Sequence, residues 1–472
     1  MTTMQFKKIL FLASLILICF TSCEKLLDKE PYDSLSIEET FKDLSGTKTA
    51  LAGAYSSLLE TFQPDIMVYP DLIGGNIKYG VSSRSRLEDV YNFIQVADNC
   101  SMNSSYLSLY SALNNVNNII KYAALLTDAT TAQKNRVLAE ARCLRALLHF
   151  NLVRLYARPY NHTADSSHLG IVVNTQPLLV SDPLPVRSTI DATYDAIETD
   201  LLTALQLFNN TTAALTGGYA ANYWNNYSAA ALLSKVYLYK GNWQRAWHYA
   251  NIVITTNNYQ LLTNAAYVNS WGLKTPSTES VFEIAIEAAY SGTSLGAYYG
   301  SMSNTYQQFA ATEDLLSLYS ATDIRGRASL FNASGNTYFT RKYEKDASAT
   351  TPIKLMRLSE VYLIRAEAAA ELDMTQQANE DLEVIRKRAD VAATPLALTG
   401  TALKEAIQTE RRKELAFEGN LLFDLTRHKK GVSRTDCTAQ VCGVAYTDFR
   451  LLLPLPKASV NVNPQLIQND NY

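Results

Sequence analysis

Glu410 and Glu414 lie four residues apart in the run ERRKEL, and on a helix such positions are neighbours on one face. A carboxylate pair about 5–5.5 Å apart is what a retaining glycosidase uses. Catalytic pairs, however, usually flank a cleft from different elements, and here Arg411, Arg412 and Lys413 stand between the two acids. Charges inside apolar helices must be paired when buried. The spacing therefore predicts a structural ion network, with Arg357, Arg365 and Arg427 as further members. His162, Asp165 and His168 share a polar loop, a weak set of metal ligands, while His149, His248 and His428 are isolated. No G-x-S-x-G run is present, and no helix with Lys-Ser/Thr follows the Gly-Gly pair of PDLIGGNIKYG at 70–80, which argues against a nucleophile elbow and a phosphate cradle. The cysteines show no CxxC pair or Cys/His spacing suited to zinc, and no cofactor is expected. Cys437 and Cys442, in TDCTAQVCG, could close a small disulfide loop in an oxidising compartment. Cys143, in an apolar helix, reads as a buried thiol.

The unusual part of the composition is its 29 tyrosines, with recurring Asn/Tyr clusters at 225–228, 257–260 and the C-terminus. Tyr and Trp offer an apolar face with a polar edge, which suits sugar rings as well as packing between helices. Formal net charge is −3, so nucleic acid is not an expected partner.

The elements that must position these residues are mainly helical. Apolar spacings of three and four predict helices over 45–62, 101–126, 131–157, 189–208, 227–239, 243–256, 359–372, 375–390 and 401–418. Short strands are predicted at 281–286, 337–343 and 449–453. Long polar loops are predicted at 64–100, 158–188, 209–225, 263–310 and 429–448, and loops of that length are usually functional or cover a surface. ALLSKVYLYKGNWQRAWHYANIVI (231–254) and LSEVYLIRAEAAAELDMTQQANEDLEVIRKRA (358–389) share one helix-turn-helix layout. Val236 and Ala368, Gly241 and Asp373, and Ala246 and Ala378 correspond at a constant offset. This is tetratricopeptide-like patterning, but the units are scattered rather than tandem, so a plain solenoid fits poorly.

At the N-terminus, Lys7 and Lys8 precede the apolar run Ile9–Phe20, which is shorter than the roughly 20 residues a spanning helix needs. Small residues follow it, so residues 1–22 read as a secretory signal peptide. Phe20-Thr21-Ser22-Cys23 resembles a bacterial lipobox, which implies cleavage before Cys23 and acylation of that cysteine. No later stretch is long and apolar enough to cross a membrane.

Five stretches, in order, resemble the SusD/RagB family: DKEPYDSLSIEETF with ALAGAYSSL near the start, RALLHFNLVRLYARP (145–159), RLSEVYLIRAEA (357–368), IQTERRKELAFEGNLLFDLTRH (407–428) and the closing LLLPLPKASVNVNPQLIQNDNY. Asn420-Leu421 stands where that family often has an Arg, and Asn471 replaces a usual penultimate Gly. The resemblance implies a mainly α fold: tetratricopeptide-like hairpins forming a platform under an irregular ligand-binding half. The N-terminal region 23–215 and the C-terminal region 216–472 are expected to pack as one fold. It also implies a non-enzymatic, lipid-anchored outer-membrane subunit facing the cell exterior. Such a subunit passes oligosaccharide or polysaccharide to a SusC-like TonB-dependent barrel. Oligopeptide capture, a hydrolase using Glu410 and Glu414, and a protein-binding scaffold are the rival readings.

On this reading the ligand surface comes from the loops. Asp71 matches an acidic position often found in the family's first long loop, and Asn76, Tyr79, Arg84, Arg86 and Tyr91 follow on the same segment. Trp271, Tyr298, Tyr299 and Tyr306 belong to the second, Tyr-rich loop region. Aromatic planes would stack on pyranose faces, and Asp, Asn and Arg would hydrogen-bond to hydroxyls.

Overall fold

The computed structural model describes residues 36–62, 64–80, 86–179, 181–209, 211, 213–215, 217–286, 294–301, 305–343 and 351–472. The signal segment, Cys23 and Arg84 lie outside the described residues. The main helices are α1 (Leu44–Phe62), α2 (Asp65–Gly74), α3 (Asn103–Ala123), α4 (Thr131–Tyr156), α5 (Ile190–Leu207), α6 (Asn226–Lys240), α7 (Trp243–Thr255), α8 (Leu358–Glu371), α9 (Thr375–Ala389), α10 (Gly400–Leu415) and α11 (Leu421–Arg427). Among the described residues, none of the helices is long and apolar enough to cross a membrane.

Units scattered in sequence stack in space. The pairs α1/α3, α4/α5, α6/α7 and α8/α9 each pack together. Contacts of α3 with α4, α5 with α6 and α7 with α8 join them into one row, and α10 closes it against α8. The row is not a plain solenoid, in keeping with the scattered units in the sequence. The intervening segments leave the row and return, so the stacking is regular although the chain spacing is not. Neighbouring hairpins bury each other's apolar faces: α6, deep in the row, is buried from Ser228 through Tyr239, whereas α7 buries only Ala246, Ala250 and Val253.

The sequence repeat is also a repeat of geometry. Val236, Ala246, Ala368 and Ala378 are each 0% exposed, and three of the four are alanines, which let helices approach closely. Gly241 (φ 70°) and Asp373 (φ 57°) both occupy the left-handed region that most side chains avoid. Each turn closes with the same hydrogen bond from one residue beyond: Asn242 N–H to Tyr237 O at 2.9 Å, and Met374 N–H to Ala369 O at 2.8 Å. That six-to-one bond satisfies a helix-end carbonyl.

Helix starts follow from their capping residues. Thr130 and Gln133 form a reciprocal capping box on α4, Asn225 accepts from the N–H groups of Tyr227 and Ser228 on α6, and Thr189 accepts from Ala192 on α5. Buried Arg145 on α4 fastens three helices, bonding both carboxylate oxygens of Asp200 on α5 at 2.7 Å and Asn117 Oδ1 on α3 at 2.9 Å.

The small strands are β1 (Ile77–Tyr79), β2 (Ser280–Ile284), β3 (Phe309–Ala311), β4 (Phe331–Ser334), β5 (Thr337–Thr340), β6 (Ile353–Arg357), β7 (Val432–Ser433) and β8 (Gly443–Val444), paired antiparallel as β1-β3, β2-β6, β4-β5 and β7-β8. Three expectations are corrected. The stretch 449–453 contains a 3-10 turn, Phe449–Leu451, rather than a strand. The loop expected over 64–100 begins with α2, every residue of which is buried. The loop expected over 263–310 contains two short helices, Asn264–Ser270 and Leu295–Tyr299, besides β2 and β3. In the first loop the continuously apolar stretch shows no periodicity because it is covered on all sides, whereas Asn264–Ser270 is too short to show one.

Asn471, at the position where a glycine is usual in the resembled family, has φ 66°. Asparagine is one of the few residues other than glycine to visit that region readily, so the departure keeps the backbone path.

Candidate ligand-binding face

The register Ile77↔Ala311, Lys78↔Ala310, Tyr79↔Phe309 sets the two long aromatic segments side by side. Gly80 N–H continues the pairing to Gln308 O at 2.7 Å. A Cβ at Gly80 would stand 2.5 Å from Gln307 O and 2.9 Å from the Phe339 ring, so only glycine permits this approach.

Around that pairing, the Tyr79 ring meets Tyr91 edge-on at 4.9 Å and Phe309 at 5.7 Å. Tyr298 meets Tyr306 at 5.1 Å and Phe309 at 6.3 Å. Arg86 bridges the two segments. Its guanidinium holds Asp65 through Nε at 2.5 Å and Nη2 at 2.8 Å, and lies 5.4 Å over the Tyr298 ring. The Tyr79 hydroxyl donates to Arg86 O at 2.7 Å. Tyr79 and Tyr306 are half-buried and Arg86 is exposed, whereas Tyr91 and Tyr298 are buried beneath them. The face therefore offers aromatic edges and a guanidinium to solvent over a packed aromatic floor.

A third segment completes it. Cys437 and Cys442 are joined in a disulfide at the tip of the β7-β8 hairpin, Cα–Cα 5.8 Å. The Arg434 guanidinium stacks 4.5 Å from the Tyr91 ring centre and donates to Tyr91 O at 3.0 Å. Thr438 N–H donates to the Tyr91 hydroxyl at 3.1 Å, and Lys78 reaches Asp436 at 2.6 Å. Residue-level reasoning about this face overlooked Asp65, Lys78, Phe309, Arg434, Asp436 and Thr438. The closely spaced cysteines are the one local signal in 432–444 of an ordered segment.

Six of the expected contact residues are buried: Tyr91 and Tyr298 form the floor of this face, and Trp271, Tyr299, Asp71 and Asn76 are interior. Trp271 is 1% exposed and Tyr299 0%. Trp271 has Lys342 at 4.6 Å and Lys354 and Arg357 each at 5.1 Å from its ring centre, and Tyr299 packs on Tyr343 and Phe417. Their apolar area is worth more against these cations and rings than in water, so neither presents a face to a solute. Asp71 and Asn76 are likewise buried. Asp71 accepts from the Asn76 side-chain amide at 2.6 Å and from Gly419 N–H at 2.7 Å, while Asn76 Oδ1 accepts from Arg412 at 2.9 Å. They tie the end of α2 to the loop after α10.

Burial pushes the Asp71 carboxyl up to about 6 and the imidazole of His149, on α4, down to about 4. His149 is 0% exposed, and its Nε2 accepts from Asn174 N–H at 3.2 Å. Below pH 6.5 the unfolded chain takes up this proton and the folded one does not until about pH 4. The stability contributed by His149 is thus complete above pH 6.5 and is lost as pH falls toward 4, by roughly 3 kcal/mol in all. Asp71 acts in the opposite sense: its raised value destabilises the fold as pH rises from about 4 to about 6. Because the two trends offset in the native chain, the test is a difference. His149→Gln keeps an acceptor for Asn174, and its stability relative to wild type, from urea unfolding, is expected to improve by about 2–3 kcal/mol between pH 7 and pH 4.5. An unchanged difference would refute a neutral buried imidazole.

The glutamates of ERRKEL form a buried ion network. Glu414, 0% exposed, meets Arg357 at 2.8 Å, Arg388 at 2.5 Å and Arg325 at 2.9 Å. Glu410 meets Arg325 at 2.6 Å. Glu279 bridges Arg357 and Arg388 from the start of β2, and Glu418 holds Arg357 and Lys342, each at 2.7 Å. Arg357 belongs to this network as expected, but Arg365 and Arg427 do not. Arg365 pairs with Asp381 on α9 of its own hairpin, and Arg427 with Glu367 on α8 and with Asp424 one turn back on its own helix. His162 and His168 lie edge to face, 5.2 Å between ring centres, with Nδ1 atoms engaged by Tyr446 and Thr163. Among the described residues, no group of three His, Cys, Asp or Glu side chains could hold a metal ion.

Residues 215–472 match a family model described as the SusD family, and residues 26–238 match one described as "Starch-binding associating with outer membrane". A SusD-like protein of Formosa agariphila is 25% identical over 97% of this chain and 96% of its own length. Among solved structures, a SusD superfamily protein from Bacteroides thetaiotaomicron is similar at TM-score 0.82 and 26% identity, covering 91% of this chain and 100% of that one. A Bacteroides vulgatus protein, provisionally named as sugar binding, is similar at TM-score 0.81 and 28% identity, covering 91% of this chain and 99% of its own.

Proposed function

This chain belongs to the SusD family, and from that membership we propose that it is a surface lipoprotein that captures carbohydrate without altering it and delivers it to a TonB-dependent outer-membrane transporter. The observation that carries the reading is the match of residues 26–238 to the family described as starch-binding and outer-membrane associating, a stretch that includes Tyr79, Arg86 and Tyr91. The provisional name of the Bacteroides vulgatus protein, sugar binding, agrees with it.

The physical part of the case is the face built on β1 and β3. A sugar ring has one apolar side and a rim of hydroxyls. Half-buried tyrosines supply the apolar contact, and Arg86 supplies hydrogen bonds directed by its pairing to Asp65. An aromatic site of this kind binds without a general acid or nucleophile. Glu410 and Glu414, the acids four residues apart in the sequence, are held by arginines in the interior. Acylation at Cys23 would hold the protein at the membrane, since several chains on one cysteine anchor far better than one.

Affinity electrophoresis against starch, dextran, xylan, mannan and pectin, with reducing ends assayed in parallel, tests this reading. Retention by at least one polymer, with no reducing ends released, is the expected result. The pair Tyr79→Ala and Tyr306→Ala should weaken that retention about tenfold, a loss of roughly 1.4 kcal/mol, while leaving the unfolding midpoint within a small margin of wild type. Capture of mixed peptides and of none of the polymers would replace carbohydrate by oligopeptide, and released reducing ends would make the chain an enzyme.

A further inference from the structure

We infer that the row of hairpin turns carries a second carbohydrate contact, centred on Trp243, for an extended neutral glycan whose other end occupies the β1-β3 face; this rests on the carbohydrate reading above. A shallow, open hollow of about 490 Å³ is lined by Tyr160, Lys240, Gly241, Asn242, Trp243, Gln244 and Leu372, a surface on which a ligand lies rather than a cleft that encloses one. Its walls come from three successive units of the stack: Tyr160 just beyond α4, residues 240–244 in the α6/α7 turn, and Leu372 in the α8/α9 turn. A ligand filling it lies across consecutive repeats, which suits a chain of rings rather than one compact molecule.

The chemistry of the lining points to a sugar. Trp243 is half-buried at the first position of α7 and packs on one side against the hydrophobic core; among the described residues its indole has no stacked ring and no cation over it, so its outer side is the one left to a ligand. Gly241 leaves the ring flank open, because a Cβ there would meet only the Trp243 ring edge, at 3.7 Å. Asn242 accepts from Arg245 N–H through Oδ1 at 3.2 Å, and among the described residues no acceptor takes its NH₂ group. Gln244 is exposed beside it. The positive charge of Lys240 is met by Glu198 and Asp195, so the hollow offers an apolar plane and amide hydrogen-bonding groups with little net charge. An uncharged ring with an apolar face and a hydroxyl rim satisfies both; a phosphate or carboxylate ligand finds no unpaired cation.

Two contacts on one chain convert the second into an intramolecular event and raise avidity for polymer only. The experiment measures, by calorimetry, the affinity of wild type, Trp243→Ala, Trp243→Phe and Gln244→Ala for the retained polysaccharide and for its tetrasaccharide. Trp243→Ala is expected to weaken polymer binding about tenfold or more and leave tetrasaccharide binding unchanged. Trp243→Phe should retain most of the polymer affinity, and the exposed Gln244→Ala should lose several-fold without any change in unfolding midpoint. Polymer affinity equal to wild type in both Trp243→Ala and Gln244→Ala overturns this inference and leaves the carbohydrate reading intact. Equal weakening for both probes overturns it as well, since Trp243 would then belong to the only site. A wild-type protein that binds no polysaccharide removes both.

Discussion

Glu414→Gln is expected to destabilise the protein by about 3–5 kcal/mol, the cost of leaving a buried charge uncompensated. Glu414 is the centre on which Arg325, Arg357 and Arg388 converge, with both of its oxygens occupied and none of its surface exposed. The three arginines hold its carboxyl well below the usual carboxylate range. A neutral amide keeps the shape but removes the charge, and its NH₂ group points a donor at a guanidinium, which has only donors. The sign of the pH dependence follows. With a depressed folded value, the contribution of Glu414 is present above the unfolded value near 4.5 and is lost as pH falls below it. The gap between wild type and Glu414→Gln, read from urea unfolding, should therefore be widest near neutral pH and shrink in acid. A variant as stable as wild type at pH 7 would mean that the network does not hold the fold. Loss of glycan cleavage without loss of stability would restore the hydrolase reading.

Trp271→Ala is the second large effect expected, at about 3–5 kcal/mol for removal of a fully buried large side chain. The loss exceeds the cavity alone, because Lys342, Lys354 and Arg357 all lie against the indole and forfeit that attraction. Read from its loop position, Trp271 looked like a ligand platform. The two placements make opposite forecasts. An interior Trp271 yields a variant with a sharply lowered unfolding midpoint whose remaining folded fraction binds glycan with native affinity. A surface platform yields native stability with lost binding, and that outcome would sink the interior assignment. Tyr79 and Tyr306 are the comparison pair, since for them the forecast is reversed.

Between them these variants separate two uses of one residue type. Tyrosine and tryptophan build both the floor and the rim of the same region. Tyr299 meets Phe309 edge to face, Phe309 lies against Tyr79, and only the outermost rings meet solvent. A contiguous aromatic stack of this kind transmits packing from the ion network to the face above it, so stability must be measured before any loss of binding is assigned to a contact.

Helical content, the repeat and the paired charges of this protein were determined by local sequence. Spacings of three and four place α1 and α3 to α10 within a few residues, because most of those helices have a periodic apolar side or good caps; α8, buried almost all round and without a side-chain cap, is placed by its repeat with α6. The correspondence of Gly241 with Asp373 marks two equal turns, because backbone geometry at a helix end is a local property. Only the tertiary structure decided where the scattered hairpins stack, which arginine meets which acid, and which aromatics are covered. Arg357 at the start of α8 and Arg365 further along the same helix are both buried arginines, yet Arg365 faces Asp381 and Arg357 faces Glu414, a choice made by what packs around them and not by sequence spacing. Likewise Trp271 and Tyr299 differ from Tyr306 only in what is folded over them. The pairing of β1 with β3 joins segments more than two hundred residues apart, and so short a strand carries too few residues for an alternating pattern to announce its partner.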